Sequence, residues 1–262
     1  MGREDDERPD EGEIEMGALK AIYAMWYREI RVFSREKSRI VASVINPLFF
    51  LLIFGGGLGN IGGFGTVGGE VFIFPAIVGM VLLFTSIFFG LYIVWDRKVD
   101  FLKEVLVAPI SRLSMFIGKI VGGSTDSIIQ ATLVLILGVF IGVNYTPLSI
   151  PLTFGFMFLT TTILVSIGLI MGSRMESPEG FQLITSFVVF PMFLLTLFPF
   201  DKLPSYLVPF AYIDPMTYAV DGLRGVIIGA NYFPVYLDAV VLAVLDCIFI
   251  ATGTYAFQKM KI

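Results

Sequence analysis

Histidine is absent from the chain and cysteine occurs once, at Cys247. Without histidine there is no imidazole general base and no His-ligated metal. With a single thiol there is no disulfide within the chain. Charge is scarce as well: Asp, Glu, Lys and Arg make up 15% of the residues against 56% hydrophobic ones, and the mean hydropathy is +0.85. A soluble domain of 262 residues cannot hide that much apolar surface, so the composition is that of a polytopic membrane protein. Nucleotide motifs are missing too. Gly118-Lys119 looks like the end of a Walker A loop, but Ile120 replaces the required Ser or Thr and the upstream glycine is absent. Gly57 to Gly62 has the G-x-G-x-x-G spacing, yet it follows a greasy run rather than a strand and reads as a flexible turn.

What charge there is sits in a few places. In residues 1–15, acidic residues far outnumber Arg3 and Arg8, as in a disordered cytosolic tail. The start lacks the basic-then-apolar order of a signal peptide, and Asp6 excludes a myristoylation site. Residues 16–39 read as an amphipathic interfacial helix, with Leu19, Ile22, Tyr23, Trp26, Ile30 and Phe33 on one face and Lys20, Arg28, Arg31 and Arg35 elsewhere. Residues 40–262 then form one six-span transmembrane domain.

A bilayer crossing needs about 20 helical residues, and six blocks are near that length: Ile40–Leu58, Val71–Val94, Phe116–Val143, Ile150–Gly172, Phe181–Phe198 and Val235–Phe257. Each must be a helix, because lipid cannot satisfy a free backbone. Basic residues alternate between the connecting segments. They cluster before the first block and between the second and third; Arg174 alone lies between the fourth and fifth, Lys259 and Lys261 follow the sixth, and Lys202 and Arg224 fall in the last outer segment. Residues 60–70 and 144–149 have none. The positive-inside rule therefore places both ends of the chain in the cytoplasm. The last outer segment, Pro199–Pro234, is too long for a simple loop. It holds two candidate re-entrant helices, Leu203–Phe210 and Pro215–Ile228, the second starting on an Asp214 N-cap with Pro215 at its first position.

The segment Val94–Lys119 is the one charge-dense stretch in the middle of the chain. Val99, Leu102, Leu106, Pro109 and Leu113 recur at helical spacing among its charges. Pro109 should break this helix, and Ser111 can cap the next. A short cytosolic amphipathic helix between two spans is a handle for another protein.

Other polar features have plainer readings. Several G-x-x-x-G pairs, among them Gly118/Gly122 and Gly168/Gly172, suit close helix packing within the protomer. Asp126 and Asp246 fall within spans and are the residues an ion-coupled secondary transporter would use; hydrogen bonding to neighbouring hydroxyls is the alternative. Phenylalanines cluster as Phe49, Phe50 and Phe54, as Phe84, Phe88 and Phe89, and as Phe187, Phe190 and Phe193. Most must face lipid or core, and the rest can line an apolar cavity. No internal repeat is evident, which counts against carriers built from inverted repeats.

Two stretches carry a resemblance. One is Lys103-Glu104-Val105-Leu106-Val107-Ala108-Pro109-Ile110-Ser111-Arg112 running to Gly118-Lys119. The other is Leu203-Pro204 followed by Asp214-Pro215-Met216-Thr217-Tyr218 and ending at Leu223-Arg224. In this order and topology the chain, from about Leu19 to Lys261, resembles the membrane subunit of ABC-2 type ABC exporters, especially permeases of the daunorubicin and multidrug-resistance type. Asp214 stands where that family usually has Asn; both cap helices. The resemblance implies an all-α membrane protein without catalysis. ATP and Mg would be bound by separate ABC ATPase subunits, two of them with two permease protomers, as homodimer or heterodimer. The exporter would move a drug, lipid or glycan out of a prokaryotic cell across the plasma membrane. The handle becomes a coupling helix, with Arg97, Lys98, Asp100, Lys103 and Glu104 making polar contacts to the ATPase and Phe101, Leu102 and Leu106 apolar ones. Phe49, Phe50, Phe54, Phe84, Phe88, Phe187, Phe190 and Phe193 become candidates for the substrate path. Asp214, Pro215, Tyr218 and Arg224 mark the outer signature.

Overall fold

The computed structural model describes residues 11–55, 69–98, 111–198 and 200–259, and every regular element among them is a helix. Helix α1 is Glu11–Arg35. Helix α2, Lys37–Phe50, runs on into a π-helical turn, Leu51–Gly55. Then come α3 (Gly69–Phe89), α4 (Leu91–Lys98), α5 (Arg112–Phe140), α6 (Ser149–Arg174) and α7 (Pro178–Leu197). A 3₁₀ turn at Phe200–Lys202 leads to α8 (Val208–Ile213), α9 (Pro215–Ile228) and α10 (Val235–Gln258). Five helices are long and apolar enough to cross a bilayer: α3 with α4 as one unit, α5, α6, α7 and α10. The chain is thus a multi-pass membrane protein. The first expected span, Ile40–Leu58, falls on α2 and its π-turn as far as Gly55; its last three positions lie outside the described residues.

Helix α3 is the axis of the bundle, packed by α5, α6, α7 and α9. From Phe72 to Leu83 it is buried on every side, and its sequence is apolar all round for that reason. Helix α10 is at the other extreme. It leans on α6, α9 and α5, with Gly253 and Phe257 against Phe116 of α5, while Tyr236, Val240, Val244 and Ile248 point outward at steps of four. In a bilayer such an outward stripe meets lipid tails, so no polar face is needed.

Glycine sets the closest crossings. Gly118 and Gly122 on α5 receive α1: a Cβ at Gly118 would stand 2.7 Å from the Met25 Cβ, and one at Gly122 2.8 Å from the Glu29 Cβ. Gly168 and Gly172 on α6 receive Ile87 and Gly90 at the junction of α3 and α4. These G-x-x-x-G pairs pack helices within the protomer.

Helix starts follow local chemistry. The Ser111 side chain caps α5 by accepting from the Ser114 N–H at 3.0 Å, and Ser177 caps α7 by accepting from Gly180. Helix α9 ends on Gly229 in the left-handed region, at φ 69°. One expected element is displaced. Instead of Leu203–Phe210, the helix before α9 spans Val208–Ile213, with Pro209 in its first turn. A helix running through Pro209 from Leu203 would lose a backbone hydrogen bond and clash with the carbonyl four residues back, so it starts at the proline.

Helix α1 lies along α5. Its packed face is Ala21, Met25, Glu29 and Phe33, whereas Leu19 and Tyr23 of the expected apolar face are 67% and 61% exposed. The helix thus has one side packed on protein and a separate apolar side that is exposed.

Candidate functional site

The two ends of the handle are tied together, and tied to α1, by a closed ring of charges. Asp96 lies on α4 just before the segment 99–110, and Lys119 lies on α5 just after it. The Lys119 Nζ donates to Asp96 Oδ2 at 2.7 Å and to Glu29 Oε1 at 3.2 Å. Arg28 closes the ring, donating to Asp96 Oδ1 and Glu29 Oε1, each at 2.8 Å. Two cations and two anions balance. Lys119 is fully buried, Glu29 and Asp96 are buried, and Arg28 reaches solvent. Burial works against the Arg28 charge, but the Asp96 and Glu29 carboxylates outweigh it and hold its pKa above the ordinary value. Breaking a buried pair by removing one partner costs about 3–5 kcal/mol, because it strands the other charge. Around the ring, the Trp26 Nε1 donates to Thr125 Oγ1 at 3.1 Å, and the Tyr92 hydroxyl donates to Glu36 at 2.7 Å.

Two of the expected ATPase-contacting residues lie among the described residues. Arg97 turns inward and donates to the Ser173 and Met175 carbonyls at 2.8 and 3.2 Å, holding the end of α6. Lys98 is exposed, its ammonium 5.7 Å from the centre of the Trp95 ring. Asp100, Phe101, Leu102, Lys103, Glu104 and Leu106 lie outside the described residues.

Above the ring is a cavity of about 650 Å³ between α2, α3, α4 and α7. Phe50, Phe84, Phe88 and Phe190 line it, with Asn46, Thr85 and Gln130 as polar groups and Glu36, Tyr92 and Trp95 at the handle end. Phe84 is the hub. Its ring stacks on Phe88 at 6.2 Å and meets Phe190 and Phe193 edge-on at 6.0 and 6.1 Å, an arrangement aromatic pairs favour. The other expected path residues are placed differently. Phe193 is buried in the core behind Phe84, and Phe49 and Phe187 are 60% and 76% exposed. The Phe54 side chain lies outside what is described.

Away from the ring, the signature residues brace α8 and α9. The Asp214 carboxylate accepts from the Met216 N–H at 2.9 Å, with Pro215 in the first turn of α9. The Tyr218 hydroxyl donates to the Tyr212 carbonyl at 2.9 Å. Arg224 is buried, donates to the Thr196 carbonyl of α7 at 2.8 Å, and lies 4.6 Å from the centre of the Phe72 ring on α3. Asp221 accepts from the Tyr232 and Phe233 N–H groups, at 2.7 Å for the latter, and so shapes the turn into α10. Of the intramembrane carboxylates, Asp126 accepts from Gln130 at 2.5 Å, one helical turn away. Asp246 sits half-buried on α10 beside Thr162.

The charge ring was not found from the sequence, although it left two signals. Glu29 shares a stripe with Met25 and Phe33, where a carboxylate needs a partner. Lys119 stands inside an otherwise apolar run. Both departures from the pattern call for each other.

The sequence profile of the family described as "ABC-2 type transporter" matches residues 20–228. The chain is 28% identical over 207 residues to ycf38 of Cyanophora paradoxa, named a transport permease, covering 74% of this chain and 70% of that one. It is 26% identical over 238 residues to the inner membrane transport permease YadH of Escherichia coli, covering 86% and 89%. It is 21% identical over 206 residues to DrrC of Mycobacterium tuberculosis, named as a probable doxorubicin resistance ABC transporter permease protein, covering 75% and 73%. A match over most of the chain, on a bundle of membrane-length helices, sets the class of protein. The chain belongs to the ABC-2 type transporter family and is a membrane component of an ABC transporter.

Proposed function

We propose that the chain is the permease subunit of an ATP-driven exporter that moves a hydrophobic or amphipathic molecule, drug-like or lipid-like, out of the cytoplasm of a prokaryote. The cavity between α2, α3 and α7 carries this reading. Its wall is aromatic, with a few amide and hydroxyl groups, which suits an apolar solute with limited polarity. The relative whose name refers to doxorubicin resistance points the same way.

The chain would cross the membrane six times, α2 with its π-turn being the first crossing, and both ends would face the cytoplasm. Two such permeases would assemble with two ABC ATPase subunits, which alone bind ATP and Mg. The segment 99–110 would seat in a groove of the ATPase. Arg97 holds the end of α6, and the exposed Lys98 would meet the partner. ATP binding would close the ATPases and rock the permeases about their shared axis.

The test is uptake of doxorubicin into inside-out vesicles holding the permease with its ATPase. Accumulation that needs ATP and the ATPase is the expected result. Accumulation on a proton or sodium gradient alone, without the ATPase, would replace the exporter with an ion-coupled carrier.

A further inference from the structure

The charge ring joins three elements that are far apart in sequence, and it does so at the base of the handle. The two helices that flank residues 99–110 in sequence, α4 and α5, are joined by one ammonium, Lys119, and one carboxylate, Asp96, 2.7 Å apart. Both groups are held in turn by α1, through Glu29 and Arg28. The grip is reinforced where Gly118 and Gly122 let α1 press against α5, and by the Trp26–Thr125 and Tyr92–Glu36 hydrogen bonds. Packed cores shift between discrete arrangements rather than deforming smoothly.

Resting on the reading that segment 99–110 receives the ATPase stroke, we infer that Lys119 is a positioning residue that locks α1 to both ends of the handle. The three then move as one lever, and the interfacial helix, with its exposed Leu19 and Tyr23 against the bilayer surface, travels with the ATPase. The neutral balance of the ring allows this lock to sit in a buried place. Close packing at Gly118 and Gly122 seats α1 on α5. Four interlocking ion pairs fix its register, a role buried polar groups have in other helical assemblies.

Spin labels placed at Tyr23→Cys and Lys98→Cys, in the full chain carrying Cys247→Ser, read the lock directly. All three positions are exposed. In lipid nanodiscs without any ATPase the pair should give one narrow distance distribution. Lys119→Met should broaden it at least twofold, and Lys119→Arg should keep it narrow. Glu29→Gln with Lys119→Met preserves charge balance but removes both groups from the ring; it should stay broad. A narrow distribution in that double variant would mean the ring only neutralises charge, and would overturn the inference.

The lever itself is read in the complex with the ATPase trapped by Mg-ATP and vanadate. A label at Tyr23→Cys should then shift relative to one at Tyr206→Cys, in the turn before α8, and Lys119→Met should abolish the shift. No shift without the substitution overturns the lever, whereas the exporter reading is judged separately by doxorubicin uptake. Should Lys119→Met fail to reach the membrane, Arg28→Gln replaces it, because Arg28 reaches solvent and its loss strands less charge. An unchanged distribution there also counts against the lock.

Discussion

Gly90 and Gly168 meet with no room for a side chain on either: a Cβ on Gly90 would run into the Gly168 carbonyl, and one on Gly168 into the Ile87 carbonyl. Backbone, not a flexible side chain, blocks the space, so the helices must separate to admit one. Gly90→Val is expected to lower stability by about 1–3 kcal/mol. Gly155→Ala, in open space on α6, should not. Thermal unfolding of the detergent-solubilised protein, followed by size-exclusion fluorescence, compares the two.

Phe84 and Phe187 separate cavity from lipid. Phe84 contacts three other rings and lines the cavity, while Phe187 is 76% exposed on α7. Phe84→Ala should reduce ATP-dependent doxorubicin accumulation at least tenfold, and Phe187→Ala should leave it within twofold. Equal losses in both would remove the cavity from the substrate path.

Arg97 makes two charge-assisted bonds to carbonyls at the end of α6. Arg97→Ala should cost about 1 kcal/mol, discounted for partial exposure. Uptake should fall more than stability does, because the link between α4 and the α6–α7 turn is lost. Lysine cannot span both carbonyls as a planar fork does, so Arg97→Lys should restore only part of the uptake. Parallel melting and vesicle uptake measurements on the two variants check this.

Asp214 holds the start of α9 through the Met216 N–H. Asp214→Asn keeps an acceptor in place and should change stability by less than about 0.5 kcal/mol, whereas Asp214→Ala removes the cap and should cost about 1 kcal/mol. Chemical denaturation in mixed micelles resolves the difference. A large loss in Asp214→Asn would mean the carboxylate charge itself matters.

Much of the architecture was legible in advance because its causes are local. Ser111 and Asp214-Pro215 start helices where capping chemistry says they should. Spans four and six were placed to within two residues, bounded by polar or turn residues. The helix before α9 was misplaced because two prolines, Pro204 and Pro209, offered competing starts and only Pro209 lay inside a helix. The protein-facing side of α1 is not legible for a different reason. Leu19, Tyr23 and Met25 are all apolar, and composition cannot say which of them meets protein and which meets lipid.

The sequence by itself determined that this is a helical membrane protein with a charged handle and without a Walker A motif. Hydropathy, caps and the missing nucleotide motif act over a few residues and need no partner. Only the tertiary structure decided which polar groups pair and which aromatics share a cavity. Glu29 and Lys119 are 90 positions apart, and Phe84 and Phe187 look alike in helices that are apolar on every side. In lipid both faces of such a helix are equally soluble, so periodicity carries no direction and packing alone assigns it.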